Sequence, residues 1–148
     1  FVLIYLNVNY HMILITKNKN LKQDKEYILT KTVAMPADTN TNGDIFGGWL
    51  LSQMDVAGGI LASKIAKGRV ATVAIDGMKF LLPVKVGDTV SCYGKLERLG
   101  ETSISILLRV TTESWRNNNL KEVTNGKFIY VAIDSEGKPR KLPHKNKY

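Results

Sequence analysis

Apolar and polar positions follow two different periods along this chain. Residues 48–67 carry apolar side chains at spacings of three and four, which predicts one helix of about 20 residues that stops at Gly68. Alternation rich in Val, Ile, Thr and aromatic residues predicts strands elsewhere. These strands span residues 27–35, 69–81, 89–99, 102–115 and 127–134. The order of one strand, a long helix and four strands predicts an α+β fold with an antiparallel sheet and one dominant helix.

The segments between these elements have the composition of loops. Residues 38–44 are rich in Asp, Thr, Asn and Gly, and residues 116–126 are mostly polar. Both are therefore predicted to be loops.

The chain length of 148 residues fits one domain. We expect an N-terminal extension over residues 1–26, a folded domain over 27–143 and a basic tail over 144–148. The apolar opening, residues 1–15, is too short to span a membrane and lacks the order of a signal peptide. Because Met12 offers a start site, residues 1–11 are expected to come from cloning or from upstream translation. We expect no stable membrane insertion.

The net charge of +8 is concentrated in the flanks of the chain. Residues 1–31 carry +3 and residues 138–148 carry +5, whereas residues 32–137 hold eleven basic and eleven acidic residues. A neutral body with a basic tail that lacks interleaved aromatics is not typical of nucleic-acid binding, and we expect none.

Cysteine and histidine are sparse. Cys92 is the only cysteine, which excludes an internal disulfide and fits a reducing compartment such as the cytoplasm. Its alternating segment predicts a small core or sheet residue. His11 and His144 lie near the chain ends, far from the predicted elements. We therefore expect no metal site.

Asp55 is the carboxylate that the predicted helix keeps inside its apolar run. At spacings of three and four it shares one side of the helix with Ser52, Gly58 and Gly59. Helical glycines cost about 1 kcal/mol each relative to alanine, so they indicate a close approach by a sheet, a partner helix or a ligand. The alternative is that they only let the helix lie against the sheet, with Asp55 at a solvated edge.

Gly47 and Gly48 lie where the helix begins. Amides there lack intrahelical acceptors and can polarise a carbonyl, which a glycine allows to approach. Such amides and one carboxylate base suffice to hydrolyse an ester or thioester. Eight residues separate Gly47 from Asp55, or about 12 Å along a helix at 1.5 Å per residue. If both act on one carbonyl, they come from different subunits, and the protein is at least a dimer.

Three motifs carry a resemblance to a known family. The stretches "MPADTNTNGDIFGGWLLSQMDVAGG", "GRVATVAIDGMKFLLPVKVGD" and "AIDSEGKPRKLP" resemble the YciA-type acyl-CoA thioesterases of the hotdog-fold superfamily. The resemblance runs over about residues 27–143. It implies an antiparallel sheet wrapped around the helix, two such units paired into one continuous sheet, and three dimers in a hexamer. It also implies hydrolysis of acyl-CoA to CoA and a fatty acid in the cytoplasm, without a metal or other cofactor.

The resemblance also implies roles for individual residues. The helix acid of the family falls on Asp55, as general base or as nucleophile, and the amide that polarises the thioester falls on Gly47. Asn40 is expected to orient water. Asp44 either caps the helix, which we favour, or assists at the thioester. The bare backbone of the helix is expected to make room for substrate at Gly48, Gly58 and Gly59.

The phosphates of CoA require cations. The candidates in the basic C-terminal region are Lys138, Arg140 and Lys141, and two further candidates are Arg69 and Lys79. The family often has a basic residue before the proline of "FLLPV", where this chain has Leu82, and Lys85 is the nearby replacement.

Other functions remain open at this stage. A non-catalytic acyl-CoA-binding hotdog protein would leave Asp55 without a chemical role. Dehydratases of the same fold usually place a histidine in the site, which this sequence does not favour.

Overall fold

The computed structural model describes residues 25–117 and 119–143. The predicted tail, most of the predicted N-terminal extension and both histidines lie outside these ranges. The described chain folds into five strands and one long helix. In chain order the elements are β1 (Glu26–Val33), a short 3-10 helix (Pro36–Asp38), α1 (Gly47–Ala66), β2 (Val70–Phe80), β3 (Thr89–Leu99), β4 (Ser103–Glu113) and β5 (Leu120–Ala132).

The five strands form one antiparallel sheet in the order β1-β3-β4-β5-β2. The helix contacts all five strands. Its buried residues join the apolar face of the sheet in one core, because an amphipathic helix must bury its apolar side against another layer. The predicted α+β fold is confirmed.

The prediction of a loop over residues 116–126 was wrong for its second half. β5 begins at Leu120, and its first residues pair with the end of β4, for example Leu120 with Glu113. Asn125 and Gly126 pair with β4 too. Their composition is typical of turns, but pairing with β4 holds both residues extended, and Asn125 also pairs with Lys79 of β2 on its other side.

The helix ends differently from its prediction. It stops at Ala66, and Lys67 rather than Gly68 adopts the left-handed conformation, with φ of 50°. The Gly68 amide donates to the Ser63 carbonyl at 3.2 Å, which closes a Schellman turn. Gly68 also leaves space for Arg140, since an added Cβ would lie 2.6 Å from Nη2 of that side chain.

Gly94 lets the helix pack closely on the sheet. A Cβ at this β3 position would lie 2.4 Å from Cδ1 of Leu29 and within 3.3 Å of Leu61 and Leu108. Because these side chains belong to the buried core, Gly94→Ala is expected to destabilise the protein by about 1–3 kcal/mol through overpacking. Urea unfolding at fixed protein concentration measures this loss. An unchanged midpoint would show that the core accommodates the methyl group without cost.

β2 is an edge strand with an apolar surface. Within the described ranges it pairs with β5 alone. Its exposed apolar side chains continue into the next segment and include Val73, Ile75, Phe80, Leu81 and Leu82. Exposed apolar edges of this kind mark interaction surfaces. In the described part of the chain, α1 is the long helix, and it lacks the hydropathy needed to cross a bilayer.

Candidate active site

Asp55 lies on the side of α1 that faces the β2–β5 pair. The Thr72 hydroxyl donates to its Oδ1 at 2.6 Å. The Tyr130 hydroxyl donates to its backbone carbonyl at 3.2 Å and lies 3.5 Å from its Oδ1. Over residues 25–117 and 119–143, no hydrogen bond or ion pair is made by Oδ2. One carboxylate oxygen is thus held by the sheet and the other remains for chemistry.

Thr72 and Tyr130 are directly opposite each other in the antiparallel pair of β2 and β5. This register places both hydroxyls beside the same turn of the helix. Neither residue was singled out from the sequence, because a Thr and a Tyr inside β-rich segments read as ordinary strand formers. Their connection becomes visible only when β2 and β5 pair, since these two residues are 58 positions apart in sequence.

Tyr130 is 1% exposed. Burial, and next to it the charge of the Asp55 carboxylate, raises the pKa of the Tyr130 hydroxyl far above its usual value. The hydroxyl therefore remains a hydrogen-bond donor throughout the physiological pH range.

Gly58 makes this arrangement possible. An added Cβ at Gly58 would lie 2.1 Å from the Tyr130 hydroxyl oxygen. Gly58 is buried in this chain, and its contact with substrate stays a prediction. Gly59 differs, because a Cβ there would meet nothing within 4 Å in this chain. Of the two small positions beside Asp55, Gly59 is the open one.

The start of α1 presents free amides. Phe46 is the N-cap residue without a side-chain cap, and its own amide donates to the Asp38 carbonyl at 2.8 Å. In the described part of the chain, the amides of Gly47 and Gly48 donate to no acceptor. Gly47 is half-buried beneath the ring of Phe80, 3.3 Å from its ideal Cβ position. These amides at the positive end of the helix can polarise a carbonyl.

The loop before the helix is organised by Asn40. Its Oδ1 accepts hydrogen bonds from the amides of Asn42 at 2.8 Å and Asp44 at 3.2 Å. The side-chain amide of Asn40 has no acceptor among the residues that the structure covers, which leaves it available to a water or a substrate. The Asn40 side-chain oxygen thus shapes the loop, while its side-chain amide, the group predicted to orient water, is not used for this purpose.

The expectation that Asp44 caps the helix was wrong. The cap position belongs to Phe46, and the Asp44 carboxylate forms an ion pair with Lys85. Lys85 follows the "FLLP" segment, so this pair ties that segment to the loop before the helix. The local sequence predicts that the Asp44 carboxylate caps the helix, but Lys85, 41 residues further along the chain, binds this carboxylate instead.

The cations proposed for CoA lie in different settings. Arg140 donates to the carbonyls of Ala66 at 2.8 Å and Ile133 at 3.1 Å, and this gives it a structural role at the end of α1. Arg69 donates to two carbonyls of the turn that follows β5. Lys138 and Lys141 form exposed ion pairs with Glu136 and Glu101. Lys79 is exposed on β2.

A cleft of about 660 Å³ opens beside the loop that precedes the helix. It is lined by Leu82 and Pro83 on one side and by the β4–β5 connection on the other. Its cationic side chains are Lys85, Arg116 and Lys121, and Trp115 is 72% exposed at its wall. Lys85 was a candidate from the sequence, but Arg116 and Lys121 were not, because nothing in a predicted polar loop distinguishes a ligand-binding cation from a solvated one.

A cysteine nucleophile and a metal site find no support in the described residues. Cys92 is a buried free thiol whose pKa burial raises to about 11, which is unsuitable for a nucleophile. In the described ranges, His, Cys, Asp and Glu side chains form no group of three or more that could hold a metal ion.

Comparisons with known proteins identify the family of this chain. The profile of the thioesterase superfamily matches residues 42–116, which include the loop end, the helix and the first strands after it. The acyl-CoA thioester hydrolase YciA of Escherichia coli is 53% identical over 119 residues, which cover 78% of this chain and 90% of that protein.

Solved structures extend the likeness to the fold. A hexameric thioesterase from Yersinia pestis is 50% identical with a TM-score of 0.78, over 83% of this chain and 100% of that one. An acyl-CoA hydrolase from Staphylococcus aureus, solved with butyryl coenzyme A and coenzyme A, is 29% identical with a TM-score of 0.72, over 80% of this chain and 71% of that one. The chain therefore belongs to the hotdog-fold thioesterase superfamily, in the family of the YciA acyl-CoA thioester hydrolases.

Proposed function

We propose that this protein hydrolyses acyl-CoA thioesters to free CoA and a fatty acid. The observation that carries the proposal is the Asp55 carboxylate, fixed through one oxygen by Thr72 and left with the other oxygen free. The relatives named acyl-CoA thioester hydrolases support the substrate class. The reaction needs only the thioester and water, so we assign no metal or other cofactor to it.

The reaction begins at the thioester carbonyl. The Gly47 amide donates to the carbonyl oxygen and stabilises the negative charge that develops there. Asp55 either removes a proton from the attacking water or attacks the carbonyl carbon itself to form an anhydride that water then hydrolyses. In both routes the carbon–sulfur bond breaks, and overall the water molecule supplies the hydroxyl group of the carboxylic acid and the proton that the CoA sulfur takes up. Asn40 orients the water through its side-chain amide.

A spacing in one relative supports these two side chains. Crystal structures of the Staphylococcus aureus hydrolase include one variant with an asparagine replaced by alanine and another with an aspartate replaced by alanine, fifteen positions apart. Asn40 and Asp55 are also fifteen positions apart. The asparagine and the aspartate chosen for replacement in that enzyme thus have counterparts at matching spacing in this chain.

Each active site is proposed to lie between two subunits. Gly47 and Asp55 are eight residues apart on one straight helix, about 12 Å along its axis, so one chain cannot place both on a single carbonyl. The apolar, unpaired edge of β2 is the surface through which two sheets would join. Hexamers among the relatives support a trimer of such dimers. The cytoplasm is the proposed compartment, consistent with a free Cys92.

Two sets of cations compete for the phosphates of CoA. The first set is predicted from the charge distribution along the sequence and consists of Lys138, Arg140 and Lys141, with Arg69 and Lys79 as further candidates. The second set lines the cleft beside the helix start and consists of Lys85, Arg116 and Lys121. The cleft lies beside the loop that leads to Gly47. Among the residues that the structure describes, its lysines and arginine donate to no backbone carbonyl as Arg69 and Arg140 do, and Lys85 is paired with the Asp44 carboxylate.

A comparison of two combined variants separates these sets. Arg116→Ala with Lys121→Ala is expected to raise the KM for acyl-CoA about tenfold at unchanged kcat, since phosphate contacts bind substrate and transition state equally. Lys138→Ala with Lys141→Ala is the matched control, because it removes the same charge from exposed ion pairs. A larger rise in KM for the Lys138→Ala and Lys141→Ala variant than for the cleft variant would assign the phosphate contacts to the C-terminal region.

The test of the function is release of CoA from acyl-CoAs of short, medium and long chain length, followed with a thiol reagent. Turnover of at least one chain length is expected, with free CoA and the acid formed in equal amounts. Tight binding without turnover would instead identify a non-catalytic acyl-CoA-binding protein.

A further inference from the structure

Tyr130 is a buried polar residue beside the candidate site, and the proposed reaction does not use its hydroxyl. Its hydroxyl lies within hydrogen-bonding distance of both the carbonyl oxygen and Oδ1 of Asp55. It also lies opposite Thr72 in the β2–β5 ladder, whose hydroxyl holds the same Oδ1 at 2.6 Å. The two hydroxyls thus converge on one carboxylate oxygen.

We propose that Tyr130 is a positioning residue, which fixes Asp55 in the rotamer that directs Oδ2 toward the thioester, and that Gly58 is glycine to admit the Tyr130 hydroxyl. This inference rests on the proposed function of Asp55. Tyr130 touches no substrate in this scheme, because it is 1% exposed beneath the helix.

The surrounding packing holds Tyr130 in place. Its ring stacks near Phe128, with centroids 6.4 Å apart, and both residues are fully buried. A Cβ on Gly58 would lie 2.9 Å from the ring carbon that carries the hydroxyl, in addition to its 2.1 Å contact with the oxygen. The helix and Tyr130 therefore fit together only while residue 58 lacks a side chain.

A second contact couples this fit to Asp55. Because the Tyr130 hydroxyl donates to the backbone carbonyl of Asp55, it fixes the position of the helix turn that carries the carboxylate. Catalytic groups displaced by a fraction of an ångström lose much of their rate advantage. Loss of the hydroxyl therefore lowers the rate of the chemical step more than the binding of substrate.

The test compares Tyr130→Phe, Gly58→Ala and the double variant with the wild type as assembled oligomers. Tyr130→Phe is expected to lower kcat about tenfold with KM within twofold of the wild type. The control is Tyr93→Phe, which removes a hydroxyl from the same sheet at a residue that stacks with Arg109 instead, 4.5 Å from the ring centroid. It is expected to leave kcat and KM unchanged.

The double variant tests whether Gly58 and Tyr130 act together. Gly58→Ala displaces the hydroxyl that Tyr130→Phe deletes, so the double variant is expected to lose no more of kcat than the worse single variant. Two losses that multiply would overturn the coupling. Urea unfolding of each variant separates lost stability from lost rate.

The outcomes distinguish this inference from the proposed function. A kcat within twofold of the wild type in Tyr130→Phe, with turnover intact, would overturn the positioning role and leave the enzyme. An inactive wild type on every acyl-CoA would overturn the proposed function and the inference with it. If Tyr130→Phe does not assemble, kcat and KM of Gly58→Ala are compared with those of the wild type instead. A lower kcat with KM within twofold would support the positioning role, and a kcat within twofold would overturn it.

Discussion

Asp55→Asn is expected to reduce kcat by on the order of a hundredfold or more, with KM within a few-fold of the wild type. The carboxamide retains an oxygen that can accept from Thr72, at the position where Oδ1 accepts at 2.6 Å. It can neither take a proton from water nor form an anhydride, so the loss falls on the chemical step. Steady-state CoA release over a range of substrate concentrations measures both constants.

The control for this prediction is Glu97→Gln. It removes one negative charge from an exposed ion pair with Lys127 on the sheet, away from α1. Its kcat is expected to match the wild type. A loss of less than tenfold in Asp55→Asn, with the oligomer intact by size-exclusion chromatography, would leave Asp55 as a structural residue and move the base elsewhere.

Two inactive variants are expected to restore activity when mixed. In Gly47→Val the added side chain meets the ring of Phe80, 3.3 Å from the ideal Cβ, and blocks approach to the helix amide. In Asp55→Asn the base is lost. A dimer that contains one chain of each kind has one site with both groups intact and one site with neither. Random pairing makes half of the dimers mixed, so about a quarter of the wild-type sites return.

Co-expression of the two variants with different affinity tags, followed by two-step purification, isolates hexamers that contain both chains. With random pairing within the three dimers, these hexamers are expected to reach about a quarter of the wild-type activity. Each variant expressed alone supplies the baseline. Hexamers of both chains that are no more active than that baseline would show that Gly47 and Asp55 do not act at one shared site, and the proposed site between subunits would be overturned.

Local pattern predicted most of the elements in this fold because each has a strong period of its own. The long helix α1 carries its apolar side at regular spacing, and β3 has the predicted bounds, Thr89–Leu99. The first half of β5 was missed, since residues such as Asn125 and Gly126 have no strand propensity and are held extended by their neighbours. The end of the helix was also placed at the wrong residue, because Arg140 rather than helix capping explains the glycine at 68.

The candidate site divides in the same way. Gly47 and Asp55 were singled out from the sequence, since a glycine pair at a helix start and an acid in an apolar run are local anomalies with few explanations, and their roles stay predictions. Asp44 was misassigned because its partner Lys85 is 41 residues away. Thr72 and Tyr130 were missed because nothing distinguishes them from other strand residues until β2 and β5 pair.

The sequence by itself determined the class of fold, the helix and the pair of groups proposed to act on the thioester, because these depend on period and composition over about 20 residues at a time. Only the tertiary structure decided what holds Asp55. Thr72 lies on β2, which follows the helix, whereas Tyr130 lies on β5, 75 residues from Asp55 along the chain, and the fit of the Tyr130 hydroxyl against Gly58 is a contact of single atoms. Side-chain periods specify which face is buried, whereas the atoms that meet across that face are set by packing of the whole core.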